Sequence, residues 1–123
     1  MTQARVILFG LATIYLAGVI VQFFLAGLGS FGAASYEAHE AVGLGLALVA
    51  LILVVLAFVG KLPRSLAALT VTLLGLNVAQ IVLARVDVEE ISALHVVNAL
   101  AIALVAIEVV QRARRYLASK LAG

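Results

Sequence analysis

Four long apolar runs divide the chain, and each is bounded by charged, turn-forming or glycine-rich residues. They cover residues 6–28, 37–59, 64–85 and 91–115. A helix that crosses the hydrocarbon core of a bilayer needs about 20 predominantly apolar residues. Each run reaches that length. The pattern therefore predicts an all-α, polytopic membrane protein: one four-transmembrane-helix bundle occupying residues 1–123. A glycine-rich turn is expected at residues 27–35, and a tight connection at residues 60–62. Pro63 then suits the first turn of the third helix, where its missing N–H costs nothing. The acidic segment of residues 86–90 leads into the fourth helix, with Glu89 and Glu90 at its positive end. Connections this short place sequential helices side by side and antiparallel, giving an up-down-up-down bundle. The fourth helix is expected to leave the membrane near Arg112 and to continue along the interface to Lys120.

Composition agrees with lipid as the solvent. Apolar residues make up 66% of the chain and charged residues only 11%, too little polar surface for a water-soluble domain of 123 residues. The first run exceeds the 7–15-residue core of a signal peptide. Gly32, Ala33 and Ala34 offer only a weak cleavage pattern, so an uncleaved first helix is expected. Cysteine is absent, which excludes disulfides, thiolate metal sites, iron–sulfur clusters and covalent c-type haem. The net charge of +2 comes without a long basic run, so no nucleic-acid partner is expected.

Charge distribution sets the expected topology. Arg5, Lys61, Arg64, Arg112, Arg114, Arg115 and Lys120 fall on one side, and Arg85 alone on the other. The basic side is expected to be cytoplasmic, with both termini there. The chain is then a multi-pass protein of the cell inner (plasma) membrane. Five of its six acids, Glu37, Glu40, Asp87, Glu89 and Glu90, lie on the far side.

Polar side chains within a bilayer are costly and tend to mark function. The candidates are Gln22, His39, Asn77, Gln80, His95, Asn98 and Glu108. Glu108 can pair with Arg112 one turn on, a structural role. The others place a polar group from every helix in the extracytoplasmic half. His39 and His95 are the only histidines. They sit at similar depth on helices 2 and 4, diagonal partners in a ring whose diagonal is roughly 11–14 Å for helices packed at ordinary spacing. That gap is wide for one small ion shared by two imidazoles, and it suits two imidazoles facing across a flat macrocycle. Imidazole is a usual ligand of haem iron. Each histidine also stands above small side chains at i+4 and i+8: Gly43 and Ala47 below His39, Ala99 and Ala103 below His95. Such strips leave room for a ring, although they are equally ordinary in membrane helix packing. Asn77, Gln80 and Asn98 could orient a histidine's second nitrogen, or these amides could serve with Gln22 as glue between helices. Glu37, His39 and Glu40 could together hold a divalent ion.

Two stretches carry a resemblance. "EAHEAVGLGLALVALILVVLA" and "ALHVVNALAIALVAIEVV" resemble the histidine-bearing second and fourth helices in one half of the haem A synthase family. That resemblance implies a four-helix bundle whose histidine pair, here His39 and His95, ligates haem near the outer face. The family usually has arginine after the helix-2 histidine, where this chain has Glu40. Glu37 matches the glutamate that typically precedes that histidine only loosely, and the second half of a full-length synthase is missing. Over its whole length, including "YLAGVIVQFFLAGLGSFG", the chain is also similar to a family of short four-helix bacterial membrane proteins of unknown function.

The expected function is a b-type haem protein with His39 and His95 as axial ligands. Gln22, Gln80 and Asn98 would shape the pocket. It would transfer electrons near the extracytoplasmic face with a quinone or a larger respiratory complex, and a homodimer would imitate the two halves of the synthase. The alternative is a haem-free accessory subunit of a larger membrane complex, with its amides as interhelical glue.

Overall fold

The computed structural model describes residues 2–121 and contains five helices and no strand among them. They are α1 (Thr2–Ser30), α2 (Glu37–Val59), α3 (Arg64–Leu83), the single turn α4 (Glu89–Ser92) and α5 (Leu94–Leu121). Leucine and alanine, which dominate these segments, are strong helix formers. In lipid a helix has the further advantage of satisfying every backbone group internally. Four stretches are long and apolar enough to cross a membrane: Gln3–Ser30, Glu37–Val59, Arg64–Leu83 and Glu89–Ser119. The side chain of Lys120, counted above with the basic side, lies outside the described residues.

Three boundaries differ from the pattern. The expected turn at residues 27–35 is shorter, because α1 continues through Gly27 and Gly29 to Ser30. It stops where Gly32 takes a positive φ of 71°. There Ala33 N–H reaches Leu28 O at 2.8 Å and Gly32 N–H reaches Gly29 O at 3.0 Å, the paired bonds of a Schellman cap. Pro63 stands as the N-cap, one residue ahead of α3, with ψ of 140°. The fourth crossing begins at Glu89, breaks at Ala93 and then runs unbroken to Leu121, while α3 ends at Leu83, two residues early.

The end of α2 repeats the cap of α1 with a less suitable residue. Leu62 N–H bonds Ala57 O at 2.9 Å, Lys61 N–H bonds Phe58 O at 3.1 Å, and Lys61 itself sits at φ 49°. Leu62 is buried, which anchors the motif.

The helices form a closed ring in the order α1, α2, α3, α5, each packed against its two neighbours. Its buried side chains have a lopsided distribution. They are Leu8, Ala12, Tyr15 and Val19 on α1 and Ala50, Leu53 and Ala57 on α2. Opposite them lie Leu66, Thr70, Leu73 and Asn77 on α3, and Ile102, Ala106, Val109 and Ala113 on α5. All belong to the middle of the bundle or to its basic end. On the four crossings, none lies beyond Val19, before Ala50, beyond Asn77 or before Ile102, among the described residues. Large apolar side chains such as Ile14, Phe24, Leu48, Val78 and Leu104 are exposed around the outside, where lipid would cover them. At the basic end Glu108 pairs with Arg112 at 2.5 Å, as the i+4 spacing predicts, and lies 3.6 Å from Arg115.

The left-handed conformation costs a non-glycine residue about 1–2 kcal/mol, part of which glycine returns through its freer unfolded chain. Lys61→Gly is therefore expected to raise stability by about 0.5–1 kcal/mol, measured by denaturant titration in detergent micelles. Lys61→Ala, which removes the same charge but keeps a Cβ, should give no such gain. Equal behaviour of the two variants would contradict the strain assigned to this turn.

Candidate functional site

Where the acidic half lacks a core, the bundle holds a cavity of about 310 Å³. Every long helix contributes to its wall: Tyr15 and Gln22 from α1, His39 and Gly43 from α2, Asn77 and Gln80 from α3, His95 and Ala99 from α5. Arg85, just past α3, and Glu40 line it as well.

The two histidines meet across this space. Their ring centroids are 6.2 Å apart and their planes are inclined at 58°. The diagonal of 11–14 Å expected between helix axes is closed by the side chains themselves, since both rings lean inward. Each ring is held by the neighbouring helix. Nδ1 of His39 lies 3.3 Å from the backbone oxygen of Gln22, and Nδ1 of His95 lies 3.2 Å from that of Gln80. A carbonyl can only accept, so in the neutral ring each Nδ1 carries the proton. The lone pair is then on Nε2 of both histidines. Tyr36 completes the mouth, its ring edge-on to His39 at 6.2 Å between centroids and its hydroxyl 3.1 Å from Ser30 Oγ.

Of the two roles open to the side-chain amides, Gln80 and Asn98 take that of glue between helices. Gln80 Nε2 donates to His95 O at 3.1 Å, and its Oε1 accepts from Asn98 Nδ2 at 2.6 Å. Asn98 also donates to Leu76 O at 2.9 Å. Backbone oxygens, not these amides, orient the imidazoles. Asn98 does not line the cavity; it ties α5 to α3 behind it. Gln22 does line it, and its Oε1 is buried without a hydrogen-bond partner. Of the small strips, Gly43 and Ala99 face the cavity whereas Ala47 and Ala103 do not.

Two residues at the cavity floor were not among the expected pocket residues. Tyr15 is 1% exposed and Asn77 6%. Asn77 Nδ2 donates to Tyr15 Oη at 2.6 Å and to Leu73 O at 2.7 Å. Tyr15 thus accepts through its oxygen and keeps its own proton to donate. The signal for it was a phenol in mid-membrane, about two turns before Gln22 in the same run. Arg85 is the third omission, and its signal was being the single cation of the acidic side.

A divalent ion on Glu37, His39 and Glu40 is not supported. No cluster of three or more His, Asp or Glu side chains suited to a metal occurs among the described residues. Residues at i and i+2 face different sides of a helix. His39 turns inward, and both glutamates are exposed.

Fold and site together define a small four-helix membrane protein with a cavity toward its acidic end, apolar over most of its wall and carrying the two histidines. The chain belongs to a family of unknown function, DUF6220, whose model matches residues 22–87. That stretch contains Gln22, His39, Gln80 and Arg85, and ends before His95. No curated protein and no solved structure matches the chain. The haem A synthase resemblance of the second and fourth helices therefore has no counterpart among these matches, whereas the likeness to a family of unknown function does.

The bond between Gln80 and Asn98 is testable by itself. In a double-mutant cycle of Gln80→Ala and Asn98→Ala, unfolding in micelles is expected to reveal a coupling of about 0.6 kcal/mol, and no more than about 1.7, the range of interhelical hydrogen bonds in membranes. Strict additivity would remove this bond from the account of how His95 is held.

Proposed function

We propose that this protein binds one b-type haem between His39 and His95 and carries electrons near the acidic face of the bundle. One observation carries the reading: two imidazoles 6.2 Å apart, both fixed through Nδ1, both with Nε2 free of a hydrogen-bond partner among the described residues. A metal-bound imidazole nitrogen lies about 2 Å from the metal. His39 and His95 are close enough to hold one metal between their free Nε2 atoms. Bonds from Nδ1 to backbone carbonyls are the usual outer-shell support of ligating histidines.

The donor set favours haem over a bare ion. Two imidazoles alone leave a protein-bound ion short of ligands. A macrocycle brings its own four. His39 of α2 and His95 of α5 would hold the group between them. Gly43 and Ala99, each one turn below a histidine, are small residues that leave space in the cavity wall. Gln80 shares the depth of the histidine pair. At about 1.5 Å per residue, Asn77 lies about 4.5 Å below that level, and Arg85, just past the end of α3, lies on its other side. A haem also carries two propionates, which call for a cation. Arg85 is the cation placed to meet them, in a charge-assisted bond. When bound, the haem would supply reversible one-electron exchange. The chain holds it, sets its orientation and keeps its lower edge out of water. The lysine and arginine distribution favours the extracytoplasmic side for this site, and a quinone or a larger respiratory complex is the exchange partner it calls for.

Produced in a haem-competent host, the protein is expected to show the sharp reduced bands of six-coordinate b-type haem, near one per chain. His39→Ala and His95→Ala should each abolish those bands while leaving helicity by circular dichroism unchanged. A folded wild-type chain without them overturns the reading, and a stoichiometric protein partner in their place would make it an accessory subunit.

Arg85 makes a separate prediction. Wild type should bind haem about tenfold more tightly than haem dimethyl ester, a difference of about 1.4 kcal/mol. Arg85→Gln should bind both alike. Equal binding of the two by wild type would remove the arginine from the site without touching the histidines.

A further inference from the structure

The basic end of the bundle carries a second cavity, independent of the first. It measures about 360 Å³ and lies between the start of α3 and the last turns of α5. Pro63, Ser65 and Leu66 form one wall; Arg112, Arg115, Tyr116 and Ser119 form the other. Arginine presents five N–H donors. The contacts of Arg112 and Arg115 with Glu108 run through one guanidinium nitrogen of each, so most of their donors stay free. One carboxylate against two guanidiniums leaves the cluster cationic. Arg5 of α1 adds a third cation over the Tyr116 ring, 4.9 Å from its centroid, and its Nε is buried without a hydrogen-bond partner. The α3 N-terminus opposite has no side-chain cap.

We infer that this cavity binds the phosphate of an anionic phospholipid headgroup. The required ligand is an anion with several acceptor oxygens, since donors and positive charge converge and no acid lines the wall. Its place in the fold decides the source. The cavity lies where one span begins at Arg64 and another ends at Ser119, the level of the headgroups in a bilayer. Beside it, Leu66 is the first buried residue of α3, and acyl chains can follow the apolar flanks of α3 and α5 toward the membrane centre. Basic pockets between membrane helices are known to take such headgroups. Arg114 separates this reading from a general attraction of basic residues to acidic lipid. It carries the same charge on the same stretch of helix but does not line the cavity.

The test is lipid retention by the detergent-purified full chain, read by native mass spectrometry. Phosphatidylglycerol and phosphatidylcholine are titrated separately, with and without millimolar inorganic phosphate. Wild type is expected to hold one phosphatidylglycerol about tenfold more tightly than phosphatidylcholine. Arg115→Gln should lose that preference and Arg114→Gln should keep it, with both variants matching wild type in helicity. Equal loss in the two variants, or equal binding of the two lipids by wild type, overturns the proposal. Displacement of phosphatidylglycerol by millimolar phosphate would make the cavity a site for the free anion and overturn the lipid assignment.

Discussion

A hydrogen-bonding group inside a bilayer has no water to fall back on, so it must find its partner on its own helix or on the next one. The acidic half of this bundle is organised by that constraint. His39 uses the backbone oxygen of Gln22, and His95 uses that of Gln80. Gln80 is bonded in turn by Asn98 and bonds the backbone of His95. These bonds join α1 to α2 and α3 to α5 where apolar burial is absent. They also decide which nitrogen of each ring is left over. The packing of the helices and the chemistry of the site thus follow from the same few contacts.

Much of the fold was legible because the bilayer is a strict solvent. Four apolar runs of sufficient length, separated by short polar breaks, leave few options besides an antiparallel ring. The bounds of α2 come out as the pattern has them, residues 37–59. Misses fall at helix ends, where backbone conformation decides the outcome. The glycines at 27 and 29 looked like a turn and are helical, because the chain reverses only at Gly32, where φ turns positive. Hydropathy carries no record of that difference.

The site was legible in its residue types and less so in its contacts. Two lone histidines at equal depth on diagonal helices were enough to expect them to face one another. Helix-axis geometry placed them too far apart, since it ignored how far each side chain reaches inward. The roles of Gln22, Gln80 and Asn98 were harder to read, because an amide in a sequence does not reveal whether its side chain or its backbone will meet the neighbour. Tyr15 escaped notice for a related reason. A tyrosine is mostly ring, and only the placement of Asn77 beside it shows that its hydroxyl is engaged on one side and free on the other.

The buried side chains of the crossings all lie toward the basic end, from Val19, Ala50, Asn77 and Ile102 inward. The packed core and the open upper part of the cavity therefore rest largely on different stretches of the same four helices, sharing Tyr15, Val19, Asn77 and Ile102. Substitutions in the upper wall, at Gln22 or Ala99, remove little packing, whereas those at the floor, at Tyr15 or Asn77, cut into the core. A lineage carrying this scaffold can alter what the open half accepts while the closed half keeps the helices in register. Variation between relatives would then gather at the acidic ends of the helices, with the residues of the closed half changing more slowly.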